Sequence, residues 1–307
     1  MSVSSSTSCT EPAATGTPST GDGGFRRLRL HIAYDGTDFH GWARQAGTDL
    51  RTVQSALEDN LSLVLRTPIS LTVAGRTDAG VHASDQVAHC DVPLASLQTR
   101  SIAGDPTTLV RRLARLLPED IALRSCEFAP EGFDARFSAL RRHYRYRIST
   151  SPSGPLPTRA RDTAHWPKPV NLAQMQLAAA SLIGLNDFAA FCKARPHATT
   201  IRDLQRFEWF DVSTAEEPET YEAHVTADAF CWNMVRALVG TCLMTGDGRR
   251  GNDFTTELLG QTERSSKVPL AAACGLTLVG VDYPEDTQLA ARAQETRGLR
   301  TLPDQPH

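Results

Sequence analysis

Asp78 stands in the segment Ala74-Gly-Arg-Thr-Asp78-Ala-Gly-Val-His-Ala83, bracketed by Gly75 and Gly80. A carboxylate in a glycine-flanked loop just after a strand is presented at a sheet edge, where a substrate can reach it. An ionised aspartate so placed can serve as nucleophile or general base. The same residues also suit a plain turn, because Asp and Gly dominate turns for local reasons. Arg236 is the second anomaly, since it interrupts the apolar run Phe230-Cys-Trp-Asn-Met-Val-Arg236-Ala-Leu-Val. An arginine in such a run either snorkels to solvent or pairs with a buried acid, for which Asp78 is a candidate. Tyr144 and Tyr146 are the third. Two apart on a strand, they share one face. They are either core aromatics or a platform on which a base stacks.

Charge sharpens the second set of readings. The chain has 307 residues and a net charge of −3, which excludes a sequence-blind polyanion binder. Yet Arg136, Arg141, Arg142, Arg145 and Arg147 crowd one stretch free of acids, a local positive field suited to phosphate. Seven cysteines, an odd number with no Cys-x-x-Cys pair, indicate neither a zinc site nor a disulfide framework. The nine histidines form no His-x-x-x-His pair beside a carboxylate, so no metal is expected. No apolar run is long enough to span a membrane, and the N-terminus lacks the regions of a signal peptide. These features imply a cytoplasmic protein without a membrane anchor.

The elements that must hold these residues are legible in part. Residues 1–24, rich in Ser, Thr, Gly and Pro, are expected to be a disordered tail, and residues 285–307 a frayed one. Leu28, Leu30, Ile32 and Tyr34 alternate with polar neighbours as in a half-buried strand. Thr52 caps a helix with a stripe of Val53, Leu57, Leu61, Val64 and Leu65, and Pro68 stops it. Ile69, Leu71 and Val73 form a second alternating run that leads into the Asp78 loop. Tyr144, Tyr146 and Ile148 mark another strand, and Asn171 opens an alanine-rich helix that ends near Gly184. Strands are expected over 206–212, 221–227 and 276–281, with an apolar helix over 229–244. The fold class implied is α/β (α+β): two similar halves, 25–138 and 139–284, sharing a mixed, largely antiparallel sheet flanked by helices, with a cleft between them.

The motifs then join. The segment from Ala74 to Ala83 resembles the active-site signature of the TruA-type tRNA pseudouridine synthases. The likeness extends through Tyr34-Asp-Gly36, Gly41-Trp42, Phe133-Asp-Ala-Arg136-Phe-Ser138, Arg142-His-Tyr144-Arg-Tyr146, Met234-Val-Arg236 and Gly275-Leu-Thr-Leu278. The resemblance implies conversion of uridine to pseudouridine at tRNA positions 38 to 40. It implies Asp78 as the nucleophile, Tyr144 packing on the target base and Arg236 pairing with Asp78. Arg76 and Arg136 would lie on the RNA path, with Phe133 and Phe137 beside them, and Arg195 would add a contact from the loop after Lys193. It also implies a homodimer holding tRNA across both subunits, with neither metal nor organic cofactor.

Two other classes remain open at this level. A non-catalytic RNA-binding protein would use the same basic and aromatic strand, but would have no use for a buried Asp–Arg pair. A hydrolase with Asp78 as nucleophile would want a metal or a second acid, and none is suitably spaced.

Overall fold

The computed structural model describes residues 24–45, 47–193 and 199–298. In chain order, Phe25–Tyr34 (β1) leads to Val53–Leu65 (α1), Thr72–Val73 (β2), His82–Pro93 (β3), Leu94–Leu97 (α2), Thr108–Leu113 (α3) and Ile121–Phe128 (β4). Then follow Arg141–Ser149 (β5), Ala164–His165 (β6), Leu172–Ala180 (α4), Gly184–Asp187 (β7), Ile201–Asp211 (β8) and Thr220–Ala227 (β9). Met234–Gly246 (α5), Asp253–Leu259 (α6), Leu276–Asp282 (β10) and Leu289–Thr296 (α7) complete the fold.

Local chemistry explains the clearest of these. In β1 the alternating Leu28, Leu30 and Ile32 are fully buried. Helix α1 begins at a capping box: the Thr52 side chain accepts from Ser55 N, and the Ser55 hydroxyl accepts from Thr52 N. Its apolar stripe is buried as the spacing requires. Asn171 likewise caps α4 by accepting from Gln174 N at 3.2 Å.

One mixed sheet runs through the molecule in the order β4-β1-β3-β10-β5-β9-β8-β7, with β2 paired to β3 and β6 to β5. Among the described residues its pairings are antiparallel, except for β3 with β10 and β5 with β6. The α/β fold class with a mixed, largely antiparallel sheet is therefore present. The join is β10. Leu278 stands opposite Ala83 on one side and Tyr144 on the other, and Thr277 stands opposite His82. The loop carrying Asp78 runs directly into His82, so it opens beside the seam that also carries Tyr144.

Several expectations need correction. The run from Ile69 to Val73 is strand only at Thr72–Val73, although Ile69, Leu71 and Val73 are all buried. The helix expected over 229–244 starts at Met234, because Asn233 takes a left-handed conformation (φ 69°) that no helix can carry through. The tail expected to fray over 285–307 is helical in part: α7 packs Leu289 and Ala293, one turn apart, onto the protein, and 299–307 lie outside the described residues. Leu289 joins Ala74, Val87, Phe133 and Ala135 in a small second core, and the Ser138 hydroxyl donates to its carbonyl at 3.0 Å. The expected tail over 1–24 lies outside the described residues apart from Gly24.

His89, on β3, is buried against Phe133, and its Nδ1 accepts from Ala135 N at 3.0 Å. Burial, with the Arg27 charge nearby, pushes its pKa down to about 4. The folded state therefore holds a neutral imidazole while the unfolded chain takes up a proton below about 6.5. Stability is expected to fall as pH drops from about 6.5 to 4, by up to about 3 kcal/mol from this group. Denaturant unfolding across that range, compared with His89→Gln, checks it: the variant should lose this part of the pH dependence.

Candidate active site

The Asp78 loop is held from below by atoms of the first strand, its following turn and β3. The Tyr34 hydroxyl bonds Thr77 Oγ1 at 2.8 Å, Trp42 N donates to Thr77 O at 3.0 Å, and Gln86 Nε2 donates to Gly75 O at 2.8 Å. Burial pushes the Tyr34 hydroxyl up to about 12, so it stays neutral. Two glycines let this turn lie flat against the loop. A Cβ on Gly36 would sit 2.0 Å from Val81 O, and one on Gly41 would sit 2.9 Å from Thr77 O. The Tyr-Asp-Gly and Gly-Trp motifs are thus the bed of the loop. Within it, Val81 N closes a turn on Asp78 O, leaving the Asp78 side chain half-buried.

Above the loop lies a cavity of about 590 Å³ whose wall includes Asp78, Tyr144 and Arg236, with Arg76, Arg136 and Phe137. Six of the eight expected site residues therefore meet. Phe133 does not: it is 0% exposed in the small second core, its ring 4.9 Å from that of Tyr283, and supports the neighbouring segment from behind. Arg195 lies outside the described residues.

Tyr144 is 8% exposed, its ring edge-on to Phe230 at 5.1 Å. Burial raises its hydroxyl pKa above the ordinary tyrosine value, with Tyr34 and Asp78 among the contributing neighbours. Arg236 sits in the first turn of α5. Its Nε donates to Ala271 O at 2.7 Å and its own carbonyl accepts from Ala271 N. A backbone carbonyl thus anchors Arg236 and sets where its guanidinium points into the cavity.

The basic stretch resolves into separate jobs. Arg147 is buried between Glu217 and Glu222, at 2.8 and 2.7 Å, and contributes no free charge to RNA. Arg141 pairs with Asp282. Arg142 is a staple: its guanidinium donates to Asp228 O (2.6 Å), Ala74 O (2.8 Å) and Arg136 O (2.8 Å). Arg136 alone of the five projects at the exposed mouth, over the Phe137 ring.

Sequence reasoning missed several wall residues. Arg202 and Asp228 line the cavity, as do Arg292 and Thr296 from the C-terminal helix. Asp228 Oδ1 accepts from Ala229 N and Asp203 N, so its carboxylate shapes the loop before α5. Lys193 lies 4.3 Å over the exposed Trp232 ring, a cation–π pair on the rim. Among the described residues, seven basic side chains line the cavity against two acidic ones, Asp78 and Asp228. Beneath this rim Cys192 and Cys231, 39 residues apart in sequence, lie side by side with Cα atoms 5.8 Å apart. A search for short Cys-x-x-Cys spacing is blind to such a pair, which tertiary structure brings together. Cys90, Cys126 and Cys242 are buried and free, as expected of small apolar residues.

Comparison with known proteins gives the class first. Residues 178–284 match the family model described as tRNA pseudouridine synthase. Over nearly the whole chain there are closer likenesses. It is 66% identical over 278 residues to tRNA pseudouridine synthase A of Corynebacterium glutamicum, covering 91% of this chain and 96% of that one. It is 53% identical over 281 residues to tRNA pseudouridine synthase A of Mycobacterium leprae, covering 90% and 96%. To that of Streptomyces griseus it is 48% identical over 284 residues, covering 91% and 96%. The chain belongs to the tRNA pseudouridine synthase A family.

Arg142→Lys tests the staple. A lysine reaches fewer of the three carbonyls, and each buried carbonyl left without a donor costs about 1–3 kcal/mol. Stability in urea is expected to fall by about 2 kcal/mol or more, with activity falling alongside; an unchanged midpoint would show that the three bonds hold nothing.

Proposed function

We propose that this protein isomerises uridine to pseudouridine in tRNA, at positions 38 to 40 of the anticodon stem-loop, as a cytoplasmic homodimer. The observation that carries the chemical reading is one cavity that gathers a loop-borne carboxylate, a buried tyrosine and an excess of guanidinium groups. Family membership supplies the reaction. The site residues supply its physical logic.

The reaction breaks the C1′–N1 bond, turns the base and joins C1′ to C5. The proton on C5 is lost and N1 gains one, so the product is an isomer and no electron carrier enters the balance. Asp78 acts either by attacking C1′ or by removing the neighbouring sugar proton. Either role needs an ionised carboxylate. Partial burial alone favours the protonated form, and the guanidinium groups of Arg236 and Arg76 on the same wall oppose that. Nε of Arg236 is held by Ala271 O, which leaves its remaining nitrogens to pair with Asp78 when substrate excludes water.

The target uridine must leave the stem stack, at a cost of a few kcal/mol. Stacking on the Tyr144 ring returns roughly 1–3 kcal/mol of it. Arg136 and Arg76 hold flanking phosphates through charge-assisted bonds. Phe137 carries Arg136 on its ring, and Arg195, outside the described residues, adds a further RNA contact as the resemblance implies. No metal or organic cofactor takes part in this proposal.

Asp78→Asn is expected to bind tRNA normally and to lose roughly 10³-fold or more in pseudouridine formation; residual turnover within tenfold of wild type would remove Asp78 from the chemistry. In the same assay Tyr144→Phe should keep more activity than Tyr144→Ala, because the ring does the stacking. An indispensable hydroxyl would reverse that order of importance. Light scattering at assay concentration should return twice the chain mass; a monomer that is fully active would overturn the homodimer.

A further inference from the structure

The C-terminal helix packs on the protein through Leu289 and Ala293, but its other residues do not follow them into the core. Arg292 and Thr296 line the active-site cavity with Gly298. The next residue of the helix end, Arg297, lies over the Phe137 ring with its guanidinium carbon 5.0 Å from the centroid, the same distance as Arg136. Phe137 thus carries two guanidinium groups, one from the segment before β5 and one from the end of α7.

This is an unfavourable collection of charge for the protein alone. Arg142 is buried with backbone carbonyls as its partners, and its pKa is lowered by burial and by the nearby positive charges of Arg136 and Arg292. The carboxylates beside α7 do not balance the cluster. Arg292 meets Glu295, which is largely exposed, and Arg297 meets Asp134 only at 3.8 Å. The Nε of Arg292 is buried without a hydrogen-bond partner. Like charges gathered around one concave mouth are stabilised when an anion with several phosphates enters.

We propose that α7 is an RNA-binding element, in which Arg292 and Arg297 hold the phosphate backbone of the tRNA at the cavity mouth, beside Arg136. This rests on the reading of the cavity as the tRNA site, and it adds a grip that the catalytic motifs do not contain. The helix is the support, pinned by Leu289 and Ala293, and the two arginines are its working side.

The test uses the full chain and an unmodified tRNA transcript, with Kd measured over a series of salt concentrations and pseudouridine formation measured in parallel. The double variant Arg292→Ala with Arg297→Ala leaves Leu289 and Ala293 in place. Its Kd and KM are expected to rise about tenfold, with kcat falling less than twofold. The slope of log K against log salt should shrink by roughly 0.7–0.9 for each phosphate the variant no longer neutralises. Arg292→Lys with Arg297→Lys should restore most of the slope, since charge is kept. Glu295→Ala, which removes the partner of Arg292 but no cation, should bind tRNA at least as tightly as wild type. Wild-type Kd and slope in the double alanine variant would overturn the proposal. So would equal weakening by Glu295→Ala, which would make α7 a scaffold only. A wild-type protein that binds the transcript but makes no pseudouridine would defeat the catalytic reading, while the salt series would still decide the role of α7.

Discussion

The buried guanidinium of Arg142 ties together three segments that are far apart in sequence. Ala74 begins the loop of Asp78, Arg136 belongs to the segment of Phe137, and Asp228 opens the turn that leads to Arg236. Each offers a backbone carbonyl, and one planar, five-donor group satisfies all three. The guanidinium is desolvated against fixed dipoles, which orient its positive charge without cancelling it. The walls of the cavity are therefore positioned by a group that also adds to the cavity's positive field.

The loop of Asp78 is fixed on its other side by close approach of backbone to backbone. Gly36 and Gly41 have no room for a side chain, and Tyr34 reaches through to Thr77. Pinning above and below suits catalysis, where a misplaced carboxylate loses rate even when its chemistry is intact. The β3–β10 pairing then brings the end of this loop level with Tyr144, because Leu278 faces both Ala83 and Tyr144 across the sheet. Asp78 and Tyr144 come from distant parts of the chain, and a strand belonging to neither carries the register between them.

What can be read from sequence follows from this division. Strands with one wet face declare themselves: β1 alternates Leu28, Leu30 and Ile32 with polar residues, and β5 does so with Tyr144 and Tyr146. Strand β3 does not, because it is buried on both sides over most of its length and carries His82, Gln86 and His89 inside, so it has no alternation to see. Helix α7 is hidden for the opposite reason. Its two buried residues, Leu289 and Ala293, are too few to mark a stripe in a polar segment. Its hold on Phe133 and Ala135 is a tertiary fact. Phe133 reads as a substrate residue because it stands in a motif beside Arg136, whereas its role is to fill the space behind that motif. Motifs record which residues matter, and only packing separates the ones that touch a ligand from the ones that hold it in place.

An acidic chain that handles RNA poses no contradiction once the pairs are sorted. Arg27 with Asp91, Arg51 with Asp120, Arg147 with Glu217 and Glu222, and Arg159 with Asp162 satisfy their charge locally, away from the cavity. At the cavity the pattern changes: Arg142 and Arg236 are held by carbonyls, which orient a guanidinium without neutralising it. Net charge averages over both populations and describes neither. Because exposed charges are screened within about 8–10 Å at ordinary salt, the field an approaching phosphate meets is set by the cavity lining and not by the sum over the chain.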